Sequence, residues 1–526
     1  MDRIELYDTT LRDGAQSEGI SFSVQDKLKI CEKLDYLGIH FIEGGWPGAN
    51  PKDMDFFKKV RSLKLKNSIL VAFGSTCRAN AKASQDRILK NLLDAETKVI
   101  TIFGKSWDLH VKDVFRIGLE ENLRMIEDSV RFLKSKGRKV FYDAEHFFDG
   151  YRDNKDYALK ALKTAEGAGA DTIILCDTNG GTITSQVFEI VEEVRTAIRT
   201  PLGIHSHNDC DMAVANSIAA IQAGCAQVHG TMNGYGERCG NANLVSVIAN
   251  LKLKLGINCI SDMALRELTE VSRFIAELCN MKPRDNQPFV GNSAFAHKAG
   301  VHVNAILKNT RTYEHVDPHL VGNHRRLLVS ELSGKSMILK KAEDIDIDLI
   351  KNAGKTKNIL NQLQSLENKG YHFEAAEASL ELLMKRMMKK FKNFFELENF
   401  RVIIDKKKSG KMTSEATIKL KVGKKLEHTA ALGDGPVNAL DSALRKALEG
   451  FYPNVRQMQL TDYKVRVLDE KEGTAARVRV LIQSQDKDDS WWTIGVSENI
   501  IDASWQALVD SVEYKLLKDT EKKRKL

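Results

Sequence analysis

Short runs of apolar and β-branched residues recur through the first half of the chain at intervals of about 30 residues, and an amphipathic stretch follows each run. The apolar runs predict eight strands, at Ile4–Asp8, Ile39–Glu43, Ile69–Phe73, Val99–Phe103, Val140–Asp143, Thr172–Cys176, Leu202–His205 and Ala226–Gly230. Helical spacing predicts helices between them, among others at Gln25–Leu37, Glu120–Lys134 and Asp156–Gly167. Eight such units closing by residue 275 fit a (β/α)8 TIM barrel, which takes about 250 residues.

An open, doubly wound α/β sheet would show the same alternation of strands and helices. Such a sheet normally carries a glycine-rich phosphate-binding turn after its first strand. The first strand here runs instead into the segment DTTLRDGAQ, residues 8–16, which lacks that pattern. The sequence therefore predicts a catalytic barrel over residues 1–275.

The segment after the barrel, residues 276–392, has a different pattern. Asn286–Lys335 is rich in His, Gly and Asn and predicts loops and short helices. Ala342–Lys392 carries Leu, Ile, Met and Phe at helical spacing and predicts helices. We expect these residues to form helical linker subdomains that contribute to the active site.

Residues 393–526 contain an internal duplication, in which two strands are followed by a helix. The first copy is predicted at Ala416–Val422, Leu426–Leu432 and Val437–Leu448, and the second at Ala476–Ser484, Trp491–Val496 and Ile500–Leu516. The segments NALD, residues 438–441, and NIID, residues 499–502, are predicted to occupy matching positions, because Asn438 and Asn499, like Asp441 and Asp502, are 61 residues apart (499 − 438 = 61 and 502 − 441 = 61). This duplicated ββα module carries no catalytic constellation, so it predicts dimerisation or effector binding.

Composition narrows the class of protein. The chain has 526 residues, of which 42% are hydrophobic and 29% charged, as expected of a soluble protein with two or three domains. It shows no apolar run of membrane-spanning length, and Met1–Glu5 lacks the features of a signal peptide. The eight cysteines are scattered without a CxxC pair, which favours reduced thiols and a cytoplasmic location.

The formal net charge of +8 is modest for this length. Much of it lies in short runs such as Lys406–Lys408 and Lys522–Lys525. No aromatic interleaving or nucleic-acid motif accompanies these runs, so they are interpreted as solvated surface. The sequence predicts neither a nucleic acid nor a membrane as partner.

Polar side chains at the ends of predicted strands indicate a metal site. Active sites of this barrel lie at the C-terminal ends of the strands, where Asp13 follows the first strand and His205-Ser206-His207 ends the seventh. Residues i and i+2 of a strand face the same side, so both imidazoles can point into the barrel mouth. Two neutral histidines and a carboxylate suit Zn²⁺, Mn²⁺ or a similar ion. Asn241, in a glycine-rich turn after the eighth strand, can complete the shell through its amide oxygen.

Glu145 follows the fifth strand and is a candidate acid, base or positioning carboxylate at the same mouth. A lone glutamate in such a loop is otherwise more often structural.

These segments together resemble the metal-dependent barrel family of 2-isopropylmalate, homocitrate and citramalate synthases. The resemblance covers nearly the whole chain and rests on the motifs DTTLRDGAQ, DTNGG, HSHND and GYGERCGNANL, in the order and spacing of the family. The segment HKAGVHVN, residues 297–304, with Tyr313 resembles the part of the family that reaches a neighbouring subunit's active site. The C-terminal duplication resembles the family's amino-acid-binding regulatory domain, which implies a homodimer.

The resemblance implies a role for each candidate residue. Asp13, His205, His207 and Asn241 would hold a divalent ion (Mn, Mg, Zn or Co) that acts as Lewis acid and template for a 2-oxo acid. Arg12 would stabilise negative charge on the ketone or enolate oxygen, and Gln16 and Thr178 would bind the substrate. Proton movement would fall to Glu145, and to His302 and Tyr313 of the second protomer.

Two further segments decide the expected substrate. GGWPGANPKD, residues 44–53, and LENKGYHFEAAEAS, residues 366–379, resemble the long citramalate synthases, which implies acetyl-CoA and pyruvate as substrates and isoleucine as effector. Three alternatives stay open at this point. They are a 2-isopropylmalate synthase that takes 2-oxoisovalerate, a lyase of the same barrel family, and an amino-acid sensor without catalytic activity.

Overall fold

The computed structural model describes residues 4–328, 353–406, 408, 410, 412–468, 476–487 and 489–525. The described residues divide into two compact units. The first comprises Met1–Phe295 and His315–Arg325, and the second comprises Ala296–Glu314 and Arg326–Leu526.

The first unit is built on a closed barrel of eight parallel strands, each paired with the next in chain order. The strands are β1 (Glu5–Asp8), β2 (Phe41–Gly45), β3 (Ile69–Ser75), β4 (Val99–Lys105), β5 (Lys139–Glu145), β6 (Thr172–Asp177), β7 (Leu202–Ser206) and β8 (Gln227–Gly230). The barrel closes where β1 pairs with β8, with Leu6 opposite Val228. The predicted barrel is confirmed, and the open sheet is excluded.

Helices follow the strands around the outside of the barrel. They are α1 (Val24–Leu37), α2 (Pro51–Val60), α3 (Arg87–Asp94), α4 (Leu119–Ser135), α5 (Phe147–Asp153), α6 (Lys155–Ala168), α7 (Thr184–Ala197), α8 (Ala213–Gln222), α9 (Leu244–Leu253), α10 (Asp262–Arg266) and α11 (Leu268–Leu278). Local sequence fixes the ends of α1, because Ser23 and Asp26 form a capping box and Gly38 takes the left-handed conformation (φ 86°) that ends the helix.

Two apolar layers hold the barrel together. The larger layer lies between the strands and the surrounding helices. A smaller layer fills the barrel interior with Tyr7, Phe41, Val71, Val99, Phe141, Ile174 and Cys176. Because the strands are parallel, the residues that follow each strand meet at one mouth above this interior layer.

The second unit begins with a short parallel pair, β9 (Ala296–His297) and β10 (Arg326–Leu327), together with α12 (Gly300–Lys308). The predicted helical linker is seen as α13 (Ala353–Asn368) and α14 (Glu377–Met387), and residues 342–352 of that prediction lie outside the described residues.

Two antiparallel three-stranded sheets follow in the second unit, each with a helix packed on it. The first has β11 (Glu396–Lys406), β12 (Met412–Val422), β13 (Lys425–Gly433) and α15 (Pro436–Glu449), and the second has β14 (Gln459–Val467), β15 (Val478–Gln485), β16 (Ser490–Ser497) and α16 (Ile500–Lys525). The repeated module is therefore βββα, and the sequence pattern missed the first strand of each copy. Those two strands are mostly exposed or half-buried, so they lack a regular apolar alternation.

The equivalence of Asn438 and Asn499 was wrong. Asn438 is the third residue of α15, whereas Asn499 directly precedes α16. The buried helix residues match at a spacing of 64 (503 − 439 = 64), which pairs Ala439 with Ala503 and Leu444 with Leu508. The register of the repeat is set by the face that each helix buries, not by the shared asparagine.

No helix in the described part of the chain has the length and apolar character needed to cross a membrane. All eight cysteines are free thiols, as the sequence predicted.

Candidate active site

Three buried side chains meet at the mouth of the barrel: Asp13, His205 and His207. One ligand atom of each lies within 4.8 Å of a ligand atom of the other two. Asp13 Oδ2 and His205 Nε2 are 3.2 Å apart. The residues that the sequence predicted as ligands are therefore adjacent, although they come from opposite ends of the barrel sequence.

Backbone hydrogen bonds between neighbouring turns hold these residues in position. The Asp13 amide donates to the Thr9 carbonyl at 2.8 Å, and the Thr9 amide donates to Gly230 at the end of β8, also at 2.8 Å. The His207 amide donates to the Asp177 carbonyl at 3.1 Å, at the end of β6. These backbone hydrogen bonds connect the turn after β1 to the end of β8, and the turn after β7 to the end of β6.

The glycine-rich turn after β8 brings Asn241 beside His207, with which it forms an isolated antiparallel bridge. A Cβ at Gly240 (φ 90°) would lie 2.0 Å from the carbonyl oxygen of Gly234, so the turn requires glycine there. The Asn241 amide nitrogen donates to the Tyr235 carbonyl at 3.4 Å. Its amide oxygen is therefore left available on the other side.

Four buried atoms at this mouth have no hydrogen-bond partner among the described residues: Asp13 Oδ2, His205 Nδ1, His207 Nδ1 and Asn241 Oδ1. Buried polar atoms are normally paired, so this cluster of buried atoms without a hydrogen bond needs an explanation. A carboxylate, two imidazoles and an amide oxygen are the donor set of a divalent ion with positions open for substrate. The residues fit such an ion.

The electrostatics of the cluster favour cation binding. Burial acts to raise the pKa of Asp13, but the Arg12 guanidinium and the two imidazoles outweigh it and hold that pKa well below its ordinary value. Burial, with the nearby His205, lowers the pKa of His207 to about 3. At neutral pH Asp13 is therefore a carboxylate and His207 a neutral imidazole with a free lone pair. Burial acts to lower the pKa of His205, but its hydrogen bond with Asp13 and the Asp13 charge outweigh burial and raise that pKa, so a cation has to displace a proton there.

Arg12 lies beside the cluster, with Nη1 3.3 Å from Asp13 Oδ2. Its Nε donates to Glu43 at 2.5 Å, and its guanidinium carbon lies 3.8 Å from the centre of the Phe73 ring. Glu43 is fully buried and also accepts a hydrogen bond from the Tyr7 hydroxyl at 2.6 Å. The sequence predicted Arg12 but not Glu43 or Tyr7.

A cavity of about 210 Å³ lies next to Arg12 and to the cluster of Asp13, His205 and His207, called the metal-type cluster below. It is lined by Arg12, Asp13, Gln16, Trp46, Phe73, Phe103, Asp143, Glu145, Cys176, Thr178, His205, His207, Glu237 and Arg238. The predicted substrate-binding residues Gln16 and Thr178 are among them. Thr178 Oγ1 accepts a hydrogen bond from the His146 amide at 2.9 Å, which leaves its hydroxyl proton free to be donated into the cavity.

Three aromatic rings form one wall of the cavity. Trp46 meets Phe73 and Phe103 edge-on, with centroids 6.0 and 5.6 Å away, and those two rings stack at 5.5 Å. Asp53 holds Trp46 in place by accepting its amide at 2.9 Å and the Lys27 ammonium at 2.6 Å. Both partners of this ion pair are buried.

Glu145 points into the cavity and forms a close ion pair with Lys105, the last residue of β4. Asp143 lies two residues before Glu145 and therefore on the same face of β5. Burial raises the pKa of Asp143 to about 7, against the attraction of His205. Sequence reasoning missed both Lys105 and Asp143, although the i, i+2 relation to Glu145 was a signal for Asp143.

His302 and Tyr313 belong to the second unit, where their rings stack at 4.1 Å. Nearby in the sequence, His297 Nε2 lies 3.2 Å from a carboxylate oxygen of Glu314. The role predicted for His302 and Tyr313 in a second protomer's site stays a prediction.

Comparison with known families divides the chain into three matched regions. Residues 3–275 match the HMGL-like family, residues 289–371 the homocitrate synthase post-HMGL domain-like family, and residues 374–516 the LeuA allosteric (dimerisation) domain.

Curated relatives span the full length of the chain. The (R)-citramalate synthases of Geobacter sulfurreducens and Aquifex aeolicus are 58% and 54% identical, each covering 99% of both proteins. A 2-isopropylmalate synthase of Methanocaldococcus jannaschii is 31% identical over 99% of this chain and 96% of that protein.

Proposed function

Since the chain belongs to the HMGL-like family and, within it, to the (R)-citramalate synthases, we propose that it condenses acetyl-CoA with pyruvate to give citramalate and free coenzyme A. The observation that carries this proposal is the convergence of Asp13, His205 and His207 beside Arg12 in the lining of a cavity of about 210 Å³. The 2-isopropylmalate synthase of Methanocaldococcus jannaschii is a more distant relative of this chain, at 31% identity.

The proposed metal ligands are Asp13, His205, His207 and Asn241. A divalent cation held there supplies Lewis acidity toward the carboxylate and ketone oxygens of pyruvate. Metal analysis of the purified protein identifies which of the four candidate ions, Mn, Mg, Zn or Co, is bound. The buried atoms His207 Nδ1 and Asn241 Oδ1, which have no hydrogen-bond partner in the described part of the chain, support the proposal.

Arg12 is proposed to stabilise the negative charge that grows on the ketone oxygen during attack. Its charge is permanent, and the Glu43 contact fixes its orientation before substrate arrives. Thr178 and Gln16 are proposed to bind the substrate, Thr178 by donating its free hydroxyl proton to the pyruvate carboxylate.

Glu145 is the proposed acid or base on this chain, with His302 and Tyr313 of the second protomer as further candidates. A base removes a proton from the methyl group of acetyl-CoA, and the resulting carbanion attacks the ketone carbon of pyruvate. Water then cleaves the thioester and releases the coenzyme A thiol. Lys105, paired with Glu145, keeps that carboxylate oriented into the cavity.

A substrate panel with detection of free thiol tests the proposed reaction. Initial rates with acetyl-CoA are measured for pyruvate and for 2-oxoisovalerate at several concentrations. We expect a clear preference for pyruvate. A preference for 2-oxoisovalerate would favour the 2-isopropylmalate synthase, and the absence of thiol release and bound metal would favour a sensor.

The aromatic wall leads to a prediction about acceptor size. Replacing Trp46 by alanine enlarges the cavity next to Phe73 and Phe103, and one or two extra carbons of the acceptor are worth about 1–3 kcal/mol of discrimination. We expect the ratio of kcat/KM for 2-oxoisovalerate to that for pyruvate to rise about 10- to 100-fold. Trp107→Ala, outside the cavity lining, is the matched control and should leave the ratio unchanged. An unchanged ratio in Trp46→Ala would show that this wall does not select the substrate.

The division of labour along the chain is proposed as catalysis by residues 1–275, linkage by 276–392, and dimerisation and regulation by 393–526. The match of residues 374–516 to an allosteric dimerisation domain supports a homodimer with an effector site. We propose isoleucine as the effector, a cytoplasmic location, and a role in isoleucine biosynthesis.

Feedback inhibition by isoleucine is tested on the full-length protein. We expect isoleucine to lower the rate of thiol release in a concentration-dependent way, and leucine at the same concentrations to have a much weaker effect. Both amino acids are titrated at pyruvate concentrations near and well above KM. Inhibition by leucine alone, or by neither amino acid, would remove isoleucine as the effector.

A further inference from the structure

A second group of buried polar side chains shares His205 with the proposed metal site. It consists of His205 on β7, Asp143 on β5 and His229 on β8, each no more than 5% exposed. One ligand atom of each lies within 4.8 Å of a ligand atom of the other two. Asp143 Oδ1, His205 Nδ1 and His229 Nδ1 are buried and have no hydrogen-bond partner within the described part of the chain.

The protonation of His229 follows from a chain of hydrogen bonds. The Gln227 amide nitrogen donates to Glu5 at 3.0 Å, and because a carboxylate only accepts, this fixes the orientation of the amide. The Gln227 amide oxygen lies 2.9 Å from His229 Nε2, so Nε2 carries the proton and donates. His229 Nδ1 therefore presents a lone pair. The ring plane is fixed by stacking on Tyr7 at 3.8 Å.

The protonation of His205 follows from the proposed metal site. Its Nε2 faces Asp13 Oδ2 at 3.2 Å and must keep a lone pair to bind a cation there. In a neutral imidazole the other nitrogen, Nδ1, then carries the proton. The three orphaned atoms are thus one donor, His205 Nδ1–H, and two acceptors, His229 Nδ1 and Asp143 Oδ1.

One water molecule matches this set, because water accepts from one donor and donates to two acceptors. A second cation does not match it. Such a cation would need the lone pair of His205 Nδ1 while Nε2 also binds a metal, and a neutral imidazole offers only one lone pair.

We propose that Asp143, His205 and His229 bind a buried water that locks His205 in its Nδ1–H tautomer and so positions Nε2 for the metal. Asp143 and His229 are positioning residues in this arrangement. The inference rests on the proposed metal site at Asp13, His205, His207 and Asn241. Its consequence is measured in metal affinity, without any substrate.

The test measures Mn²⁺ affinity of the full-length protein by isothermal titration after chelator treatment. His229→Phe keeps the ring that stacks on Tyr7 and removes both nitrogens. Asp143→Ala removes an acceptor, and Asp143→Asn removes the charge but keeps an acceptor oxygen. We expect about 10- to 100-fold weaker binding in His229→Phe and Asp143→Ala, the usual effect of losing a group that orients a metal ligand. Asp143→Asn should restore most of the affinity that Asp143→Ala loses.

Thr101→Val is the matched control. It removes the hydroxyl that bonds Tyr7 of the interior layer at 2.8 Å, and Thr101 carries none of the three orphaned atoms. Its Mn²⁺ affinity should equal that of the wild type. Thermal unfolding of each variant shows whether the protein is folded. If His229→Phe does not fold, the comparison of Asp143→Ala with Asp143→Asn decides the test.

A crystal structure of the Mn²⁺-loaded wild type completes the test. A water within hydrogen-bond distance of all three atoms supports the proposal, and a second Mn²⁺ or an empty position overturns it. Unchanged affinity in His229→Phe and Asp143→Ala also overturns it, as does an Asp143→Asn variant as weak as Asp143→Ala, which would indicate a charge effect only. If the wild type itself binds no Mn²⁺, the metal site fails rather than the water.

Discussion

Replacing Arg12 by alanine is expected to lower kcat about 100- to 1000-fold, the usual effect of removing a preorganised donor that stabilises an oxyanion. The guanidinium lies within 3.3 Å of Asp13 and is held by Glu43, so its charge is already in place when the ketone oxygen becomes negative. Arg12→Lys should also lose more than tenfold, because a lysine cannot reproduce the planar fork that contacts Glu43 and lies over Phe73.

Steady-state kinetics with pyruvate and thiol detection measure this effect. Arg12→Ala leaves Glu43 buried without its cation, which should reduce the free energy of unfolding by about 3–5 kcal/mol, so rates are compared per folded protein. Arg195→Ala is the control, because Arg195 is an exposed residue of α7 on the outside of the barrel. This variant should leave kcat unchanged. A loss of less than tenfold in Arg12→Ala would contradict the role proposed for this residue.

Replacing Asp13 by asparagine is expected to remove most of the metal affinity and to lower kcat/KM by about three orders of magnitude, in line with the several kcal/mol that a Lewis acid supplies. Asparagine keeps the size of the side chain but loses the negative charge that faces His205 at 3.2 Å. Chelator treatment of the wild type should give a similar loss, reversed by added divalent metal.

Metal titration and kinetics on the same protein samples test this prediction. Asp211→Asn is the matched control, since Asp211 is exposed in the loop after β7 and is not part of the metal-type cluster. Activity that survives complete removal of metal, or an Asp13→Asn variant with wild-type affinity for Mn²⁺, would contradict the proposed centre.

Much of the architecture was predictable from local pattern. The period of apolar residues distinguishes strands from helices, and eight repeats of the strand–helix unit leave few arrangements other than a closed barrel. The two-residue spacing of His205 and His207 at the end of a strand places both rings on one face, and the barrel brings Asp13 to the same mouth. These inferences succeeded because each depends on a short segment or on the shared direction of parallel strands.

The C-terminal repeat shows where local pattern fails. The strands Glu396–Lys406 and Gln459–Val467 are largely exposed, so their sequences lack the regular alternation of apolar and polar residues that predicts a strand. The shared asparagine predicts a register that differs by three residues from the one set by the buried helix face, on which Ala439 corresponds to Ala503.

The amino-acid sequence by itself determined the barrel, the duplicated C-terminal module and the side chains proposed to bind the metal, because periodicity and strand direction are properties of the chain read in order. Only the tertiary structure decided which groups support those side chains: Glu43 under Arg12, Lys105 beside Glu145, and Asp143 and His229 around His205. Such contacts join residues that lie far apart in sequence, for example 31 residues between Arg12 and Glu43 and 40 between Lys105 and Glu145. They form only when the barrel closes, so the pairing of these polar atoms is visible only in the folded protein.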